Sequence, residues 1–434
     1  MPIRSNVVDR LLRPFSKVRP GEGPLALLML LCVFLILTSY YLMKPAREGL
    51  ILAGGAWGLE GDELKTYANG VMALVLVVLV PAYSALANRV RRIRLINVSY
   101  ALAIGSLVTF FALARAGLPI GVAFFVWLGL VSVFLIAQFW SYANDVYTEE
   151  QGKRLFAIIA MGGSLGAIFG PRIAKLADTY TLLVIAAFVL AGCLVLFNLI
   201  ERVHAHRTLD LTATEPIDGP GGFHLVLRDR YLLLIAAMLL VANLVNTTGE
   251  YILSNAAREH AMAVAPGHYD QQRELIKQFY SDFFMWVNLV SFAIQALLVS
   301  RIIDKLGVRA ALFVMPIIAF GAYGLIGVVG GFALVRSAKI AENSTDYSLQ
   351  NTIRQALFLP TDRATKYKAK AAIDTFFVRV GDTLSAVLVG VGIHQLGFGG
   401  TQFALVNLVL IGLWVLVAAG IARRHRRLSP DKKG

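Results

Sequence analysis

Charged side chains interrupt the first long apolar stretch of the chain. Residues 24–43 carry no charge, Lys44, Arg47 and Glu48 follow, and the apolar sequence resumes at Gly49. An arginine presents a planar fork of donors that matches a phosphate or a carboxylate. These residues therefore predict contact with an anionic ligand. The competing interpretation is a helix end whose long side chains reach back to the membrane surface.

More cations lie in two later segments. Arg336 and Lys339 are three residues apart, as are Lys339 and Glu342, so all three share one helix face. Arg379 and Asp382 share a face in the same way. Salt bridges that only hold the helices together are one explanation. Because cations outnumber acids across these segments, an anionic substrate is the simplest explanation.

Other polar residues complete the candidate binding set. Asn246, Tyr142 and Asn144 are predicted to contact the substrate, the last two near its cytoplasmic entrance. Glu250 and Asp382 are acids within apolar segments. Such acids serve either as partners of a cation or as proton carriers, and both roles remain open here.

Enzyme chemistry is not indicated. The chain has no nucleophile elbow, phosphate-binding Walker loop or zinc signature. Its two cysteines, Cys32 and Cys193, lie inside apolar runs and are predicted to pack in the core. We therefore predict a protein that is not an enzyme and needs no metal or other cofactor.

The composition places these residues in a membrane protein. The chain has 434 residues, of which 57% are hydrophobic and 16% charged, whereas soluble domains carry about a quarter charged residues. Runs of about 20 apolar residues suffice to cross a bilayer. The predicted spans are 24–43, 67–87, 95–115, 118–142, 156–176, 180–200, 229–254, 276–300, 310–330, 332–356, 371–395 and 401–422.

The distribution of basic residues predicts the orientation and the partners. The net charge of +14 is concentrated in alternate short loops and at both termini. This pattern indicates a lipid bilayer rather than nucleic acid as the partner and places both termini in the cytoplasm. Residues 6–18 are predicted to form a basic amphipathic helix at the membrane surface.

The chain is predicted to consist of two halves. Residues 1–200 form an N-terminal six-helix half, 201–228 a cytoplasmic linker containing proline and glycine, and 229–434 a C-terminal half with a basic tail. Related segments follow the second span (84–92) and the eighth span (300–309). Both resemble the loop motif of the major facilitator superfamily, which implies two parallel six-helix halves in an all-α polytopic protein of about twelve transmembrane helices.

Further segments resemble the nucleotide transporter family of ATP/ADP translocases. Residues 139–145 read Phe-Trp-Ser-Tyr-Ala-Asn-Asp, close to that family's Phe-Trp-x-Phe-Ala-Asn. Residues 44–50, 347–349, 359–362 and 368–374 match other family segments in the same order. The resemblance implies an ATP:ADP antiporter-like carrier. Asn246 and Asp382, however, occupy positions where the family has an acid and a cation, so strict ATP/ADP exchange does not follow.

Three functional hypotheses result. The first is an alternating-access secondary transporter of an organic anion, such as a nucleotide or another phosphorylated metabolite. The second is a proton-coupled transporter of a non-nucleotide small molecule, with Glu250 and Asp382 central. The third is a non-transporting membrane anchor or sensor. We expect a monomer in a bacterial inner membrane.

Overall fold

A computed structural model of the chain describes residues 7–12, 18–87, 90–204, 222–358, 360–361 and 369–428. Within these ranges the regular structure is helical, with one isolated β-bridge between Ala56 and Leu59. The helices are α1 (Val7–Leu12), α2 (Gly23–Leu52), α3 (Gly61–Ala87), α4 (Arg92–Arg115), α5 (Gly121–Val146), α6 (Glu149–Ala174), α7 (Thr179–His204), α8 (Gly222–Arg228), α9 (Arg230–Val264), α10 (Tyr269–Leu297), α11 (Val299–Ala311), α12 (Val314–Val328), α13 (Phe332–Thr345), α14 (Asn351–Ala356), α15 (Lys370–Ala372), α16 (Val378–His394) and α17 (Gly400–Leu428). Two π-helical segments, Asp346–Gln350 and Ile373–Phe377, join α13 to α14 and α15 to α16.

Each predicted span has a helical counterpart in the same order, which confirms the all-α polytopic fold. Among the described residues, seven helices are individually long and apolar enough to cross a bilayer, and the bent pair α10–α11 would make an eighth. Helices are the expected elements because the bilayer interior offers no water to the backbone polar groups. The tenth predicted span forms a helical path from Phe332 to Ala356 that passes through a π turn.

The first compact unit comprises Met1–Gly54, Val80–Thr214 and Tyr269–Met285. Within it, α2 lies against α5, α6 and α7. The small-residue ridge of α6 permits close packing: a methyl group added at Gly162 would strike the Leu30 carbonyl oxygen, and one added at Gly166 would come within 2.5 Å of the Phe34 carbonyl oxygen. Both cysteines are buried and unbonded to each other, which confirms their predicted packing role.

The second compact unit comprises Gly55–Leu79, Glu215–His268 and Trp286–Gly434. Within it, α9 packs against α13, α16 and α17, and α12 packs against α13 and α17. Each unit thus includes one segment from the other predicted half of the chain. The predicted linker lies mostly outside the described residues, and the division into halves stays a prediction.

The N-terminal segment supports the start of α2. The described part of the predicted amphipathic helix is α1, which carries the fully buried Asp9. The Asp9 carboxylate accepts hydrogen bonds from the backbone N–H groups of Gly21 (3.0 Å) and Gly23 (2.8 Å). An acid at this position satisfies amides that have no partner in the first helical turn and complements the helix dipole.

The second repeat motif contains a break in its helix. Gly307 interrupts α11 with φ 73° and ψ 161°. A side chain at this position would strain the backbone, which explains why the motif carries glycine there. Asn88 and Arg89, in the first copy, lie outside the described residues.

Candidate functional site

The charged group on α2 lies inside the helix, which continues to Leu52. Arg47 is 9% exposed, and its guanidinium Nη2 is 2.5 Å from the Glu48 Oε1. The guanidinium carbon also lies 4.2 Å from the centroid of the Phe125 ring. A carboxylate and an aromatic face thus hold this planar cation in one orientation.

Lys44 has a different environment. Its ammonium lies 4.0 Å from the centroid of the Phe284 ring, 5.3 Å from that of Tyr41 and 5.8 Å from that of Tyr40. Aromatic faces attract a cation without neutralising its charge. Lys44 is half-buried and forms no ion pair in the part of the chain that the structure describes.

Lys339 is the centre of a buried polar network in the second unit. It is 0% exposed, and its Nζ lies 2.8 Å from Glu342 Oε2, 3.2 Å from Asn246 Oδ1 and 3.6 Å from Glu250 Oε1. The Tyr323 hydroxyl donates to the Glu342 carboxylate, with a distance of 2.9 Å to Oε2. Lys339 and Glu342, which were predicted to share a helix face, therefore form a buried ion pair. Their additional hydrogen bonds offset part of the cost of removing the two charges from water.

Glu250 has a further cation beside it that the sequence reasoning missed. Lys65 Nζ lies 3.9 Å from Glu250 Oε2 and donates to the Ser254 hydroxyl at 2.7 Å. Asn343 donates to Glu250 Oε1 at 3.0 Å. The predicted second span begins at residue 67, so Lys65 was excluded from the intramembrane charges. The helix begins at Gly61, and the polar residues immediately before the apolar run were the available signal.

Arg379 and Asp382 form the second charged group of this unit. Arg379 Nη1 lies 3.1 Å from Asp382 Oδ2. Asp382 Oδ1 accepts hydrogen bonds from Asn243 Nδ2 at 2.7 Å and from Thr247 Oγ1 at 3.2 Å. Three donors on two helices therefore hold the Asp382 carboxylate in place.

The remaining predicted site residues do not join these groups. Tyr142 is 3% exposed, and its hydroxyl donates to Glu201 Oε2 at 3.1 Å. Asn144 is exposed, and its neighbour Asp145 pairs with Arg92 at 2.9 Å. Arg336 is half-buried and has no ion pair among the described residues. The substrate contacts assigned to all of these residues stay predictions.

The sequence and the fold both resemble those of known transporters. The family described as Major Facilitator Superfamily matches residues 26–341. ADP,ATP carrier protein 1 of Chlamydia muridarum is 23% identical over 85% of this chain and 83% of its own length. ADP,ATP carrier protein 1 of Chlamydia pneumoniae is 22% identical over 94% of this chain and 93% of its own length. These matches confirm the resemblance to nucleotide carriers.

Solved structures share the fold at low identity. One is a bacterial homologue of the human lysosomal transporter Spinster in an inward-facing, unoccupied conformation. It superposes on this chain with a TM-score of 0.66 and 11% identity, and the match covers 95% of this chain and 100% of the homologue. A mutant form of the nucleoside transporter NupG has a TM-score of 0.63 and 15% identity over 92% of this chain and 99% of its own. These structures share the fold, and because the family model matches residues 26–341, the chain belongs to the major facilitator superfamily and is a membrane secondary transporter.

Proposed function

We propose that this transporter carries an organic anion by alternating access, and that the anion is a nucleotide or another phosphorylated metabolite. The observation that carries the proposal is the environment of Lys44. This cation lies within a long apolar helix, is partly exposed, and contacts aromatic rings rather than a carboxylate among the described residues. A charge within a membrane protein is costly unless it has a partner, and an anionic substrate would supply that partner.

The surrounding charges support the same proposal. Two acids of the predicted site already serve cations within their own units: Glu48 pairs with Arg47, and Asp382 pairs with Arg379. In the second unit, Arg336 remains without an ion pair in the described part of the chain. Among the cations predicted to bind substrate, Lys44 of the first unit and Arg336 of the second therefore remain available for an anion, which favours a substrate with negative charge.

The relatives support a phosphorylated substrate. Proteins named ADP,ATP carriers align with 85% to 94% of this chain. Arg47 and Lys44 would contact the phosphate groups, because a fork of donors and a point charge both bind phosphate well. We further propose that the protein is monomeric, lies in a bacterial inner membrane and has both termini in the cytoplasm.

Transport by purified protein in liposomes tests the proposal. Liposomes are loaded with unlabelled ADP, labelled ATP is added outside, and protein-free liposomes serve as the blank. We expect wild-type uptake that requires internal nucleotide. Lys44→Gln should raise the KM for ATP roughly tenfold or more, since a hydrogen bond to a charged group contributes about 1.5–3 kcal/mol.

The controls separate a lost contact from a lost fold. Lys305 is exposed on α11, so Lys305→Gln removes the same charge and should leave the KM unchanged. Arg47→Gln should abolish uptake but also removes a partner of the buried Glu48, so Lys44→Gln is the cleaner variant. Folded wild-type protein that moves no nucleotide or smaller phosphate ester would refute the proposal.

The geometry of Glu250 favours one alternative, a proton-coupled carrier of a non-nucleotide molecule. Its carboxylate lies between the ammonium groups of Lys339 and Lys65, at 3.6 and 3.9 Å. Protonation of Glu250 would weaken both interactions. Uptake driven by a pH gradient, indifferent to nucleotides and lost in Glu250→Gln, would establish this alternative. A membrane anchor or sensor would instead show no flux of any solute.

A further inference from the structure

The start of α9 lies beside the end of α17 in the second unit. The centroids of the Tyr231 and His425 rings are 6.3 Å apart. Further along the two helices, a methyl group added at Gly420 would lie 3.3 Å from Leu234 Cδ1. The facing position on α17 falls as the position on α9 rises, so the helices are antiparallel. The residues just before Tyr231 and those around His425 therefore lie at the same end of the unit.

That end of the unit carries a group of arginines, which we call the arginine surface. Its members are Arg228, Arg230, Arg423, Arg424, Arg426 and Arg427. Arg424 is half-buried and the others are exposed, and none of them has an ion pair within the described part of the chain. The adjacent acid, Asp229, accepts a hydrogen bond from the Tyr231 backbone N–H at 2.7 Å. The arginine surface is therefore strongly positive.

The arginine surface lies at the predicted boundary of the membrane. The predicted seventh span begins at residue 229, directly after Arg228. The last predicted span ends at residue 422, directly before Arg423. Polar headgroups flank the hydrocarbon core of a bilayer on both sides. The phosphate groups of lipids would therefore lie at the level of these arginines.

Large apolar side chains are exposed beside the arginines. Val226 is buried and attaches α8 to the unit, while Phe223 and Leu227 are 48% and 68% exposed. Phe223 and Leu227 are four residues apart and share one face of the helix. Leu428, at the end of α17, is also 48% exposed. Exposed cations next to exposed apolar side chains complement a phospholipid, which has a charged headgroup and acyl chains, better than a soluble anion.

We propose that the arginine surface binds the headgroup of an anionic phospholipid, with Phe223 and Leu227 against the acyl chains. A guanidinium group donates paired hydrogen bonds to a phosphate, and each basic residue near an anionic membrane surface adds to the affinity. The lipid supplies the negative charge that these arginines lack among the described residues. The inference is independent of the proposed function, because it holds whichever substrate the protein carries.

Native mass spectrometry of the full-length protein, released from detergent micelles with added lipid, tests the inference. Phosphatidylglycerol is the anionic probe and phosphatidylcholine the zwitterionic one, and the fraction of lipid-bound protein gives each Kd. We expect the wild type to bind phosphatidylglycerol roughly 100-fold more tightly than phosphatidylcholine. Arg228→Gln combined with Arg230→Gln should weaken phosphatidylglycerol binding roughly 30-fold, as the loss of two basic residues near an anionic headgroup would.

Further double variants separate a defined surface from a general charge effect. Arg423→Gln combined with Arg427→Gln removes two exposed arginines from α17 and should cause a loss of similar size. Arg301 and Lys305 are exposed on α11 in the same unit, so Arg301→Gln combined with Lys305→Gln is the matched control and should leave the Kd unchanged.

Folding does not obscure the result. The replaced arginines are exposed and have no ion pair among the described residues, so without added lipid the variants should unfold at the wild-type temperature. Equal affinity of the wild type for the two lipids would overturn the inference, and so would an equal loss in the α11 control and the arginine-surface variants. Displacement of phosphatidylglycerol by an equal concentration of glycerol 3-phosphate would also overturn it, since the surface would then bind a soluble phosphate.

Discussion

Removing the Glu342 charge tests whether the buried network of the second unit holds that unit together. Glu342→Gln keeps the side-chain shape and an oxygen that can still accept from Tyr323, but it removes the carboxylate 2.8 Å from Lys339 Nζ. Breaking a buried ion pair costs about 3–5 kcal/mol because the remaining charge stays buried. Glu250 remains 3.6 Å from Lys339, so we expect a loss near the lower limit, about 3 kcal/mol.

The free energy of unfolding, measured by SDS titration of the purified protein in mixed micelles, provides the assay. Glu259 is exposed on α9, so Glu259→Gln is the matched control and should change stability by no more than about 0.5 kcal/mol. The double variant Lys339→Met with Glu342→Gln removes the stranded charge and should regain about 2 kcal/mol. A free energy of unfolding for Glu342→Gln within about 1 kcal/mol of wild type would refute the reasoning. So would a loss in the double variant equal to the sum of the losses in the two single variants.

Two further predictions concern the first unit. Gly166→Ala should destabilise the protein by about 1–3 kcal/mol, because the added methyl group meets the α2 backbone. Gly105 has open space around it, so Gly105→Ala is the control and should not destabilise the protein. Thermal unfolding of both variants checks this, and equal midpoint temperatures would contradict the packing. Glu22 lies just before α2, and its hydrogen bond with Arg154 holds the pKa of Glu22 below 4.5. The stability from this pair is present above about pH 4.5 and is lost as the pH falls through the lowered pKa. The free energy of unfolding should therefore fall between about pH 5 and pH 3 by about 1 kcal/mol less in Glu22→Gln than in wild type. Equal decreases in the two proteins would contradict this.

The positions of the membrane helices were predictable from the sequence because hydropathy is a local property. A segment in a bilayer must satisfy its own backbone hydrogen bonds, so each apolar run becomes a helix whatever its neighbours are. The helix ends were less predictable. The first span was predicted to end at residue 43, but α2 continues to Leu52, because hydropathy falls at the charges while the helix does not break.

The candidate site was predictable only in part. Lys339 and Glu342 are three residues apart, so their shared face followed from helix geometry. The neighbours of Glu250 could not be predicted from helix geometry, since Lys65 and Lys339 come from distant parts of the chain. Nor does spacing show that Gln350 has no hydrogen-bond partner among the described residues, because that depends on which side chains of other helices reach it.

The sequence alone determined that this chain is an all-α polytopic membrane protein with cations inside its apolar segments. Those features follow from composition and from short-range periodicity, which do not depend on how helices meet. Only the tertiary structure decided which cations are neutralised and which buried amide lacks a partner. The packing leaves Lys44 among aromatic rings, pairs Lys339 with Glu342 and buries the Gln350 amide without a hydrogen-bond partner among the described residues. Each of these depends on distances of a few ångströms between helices, and only their packing sets such distances.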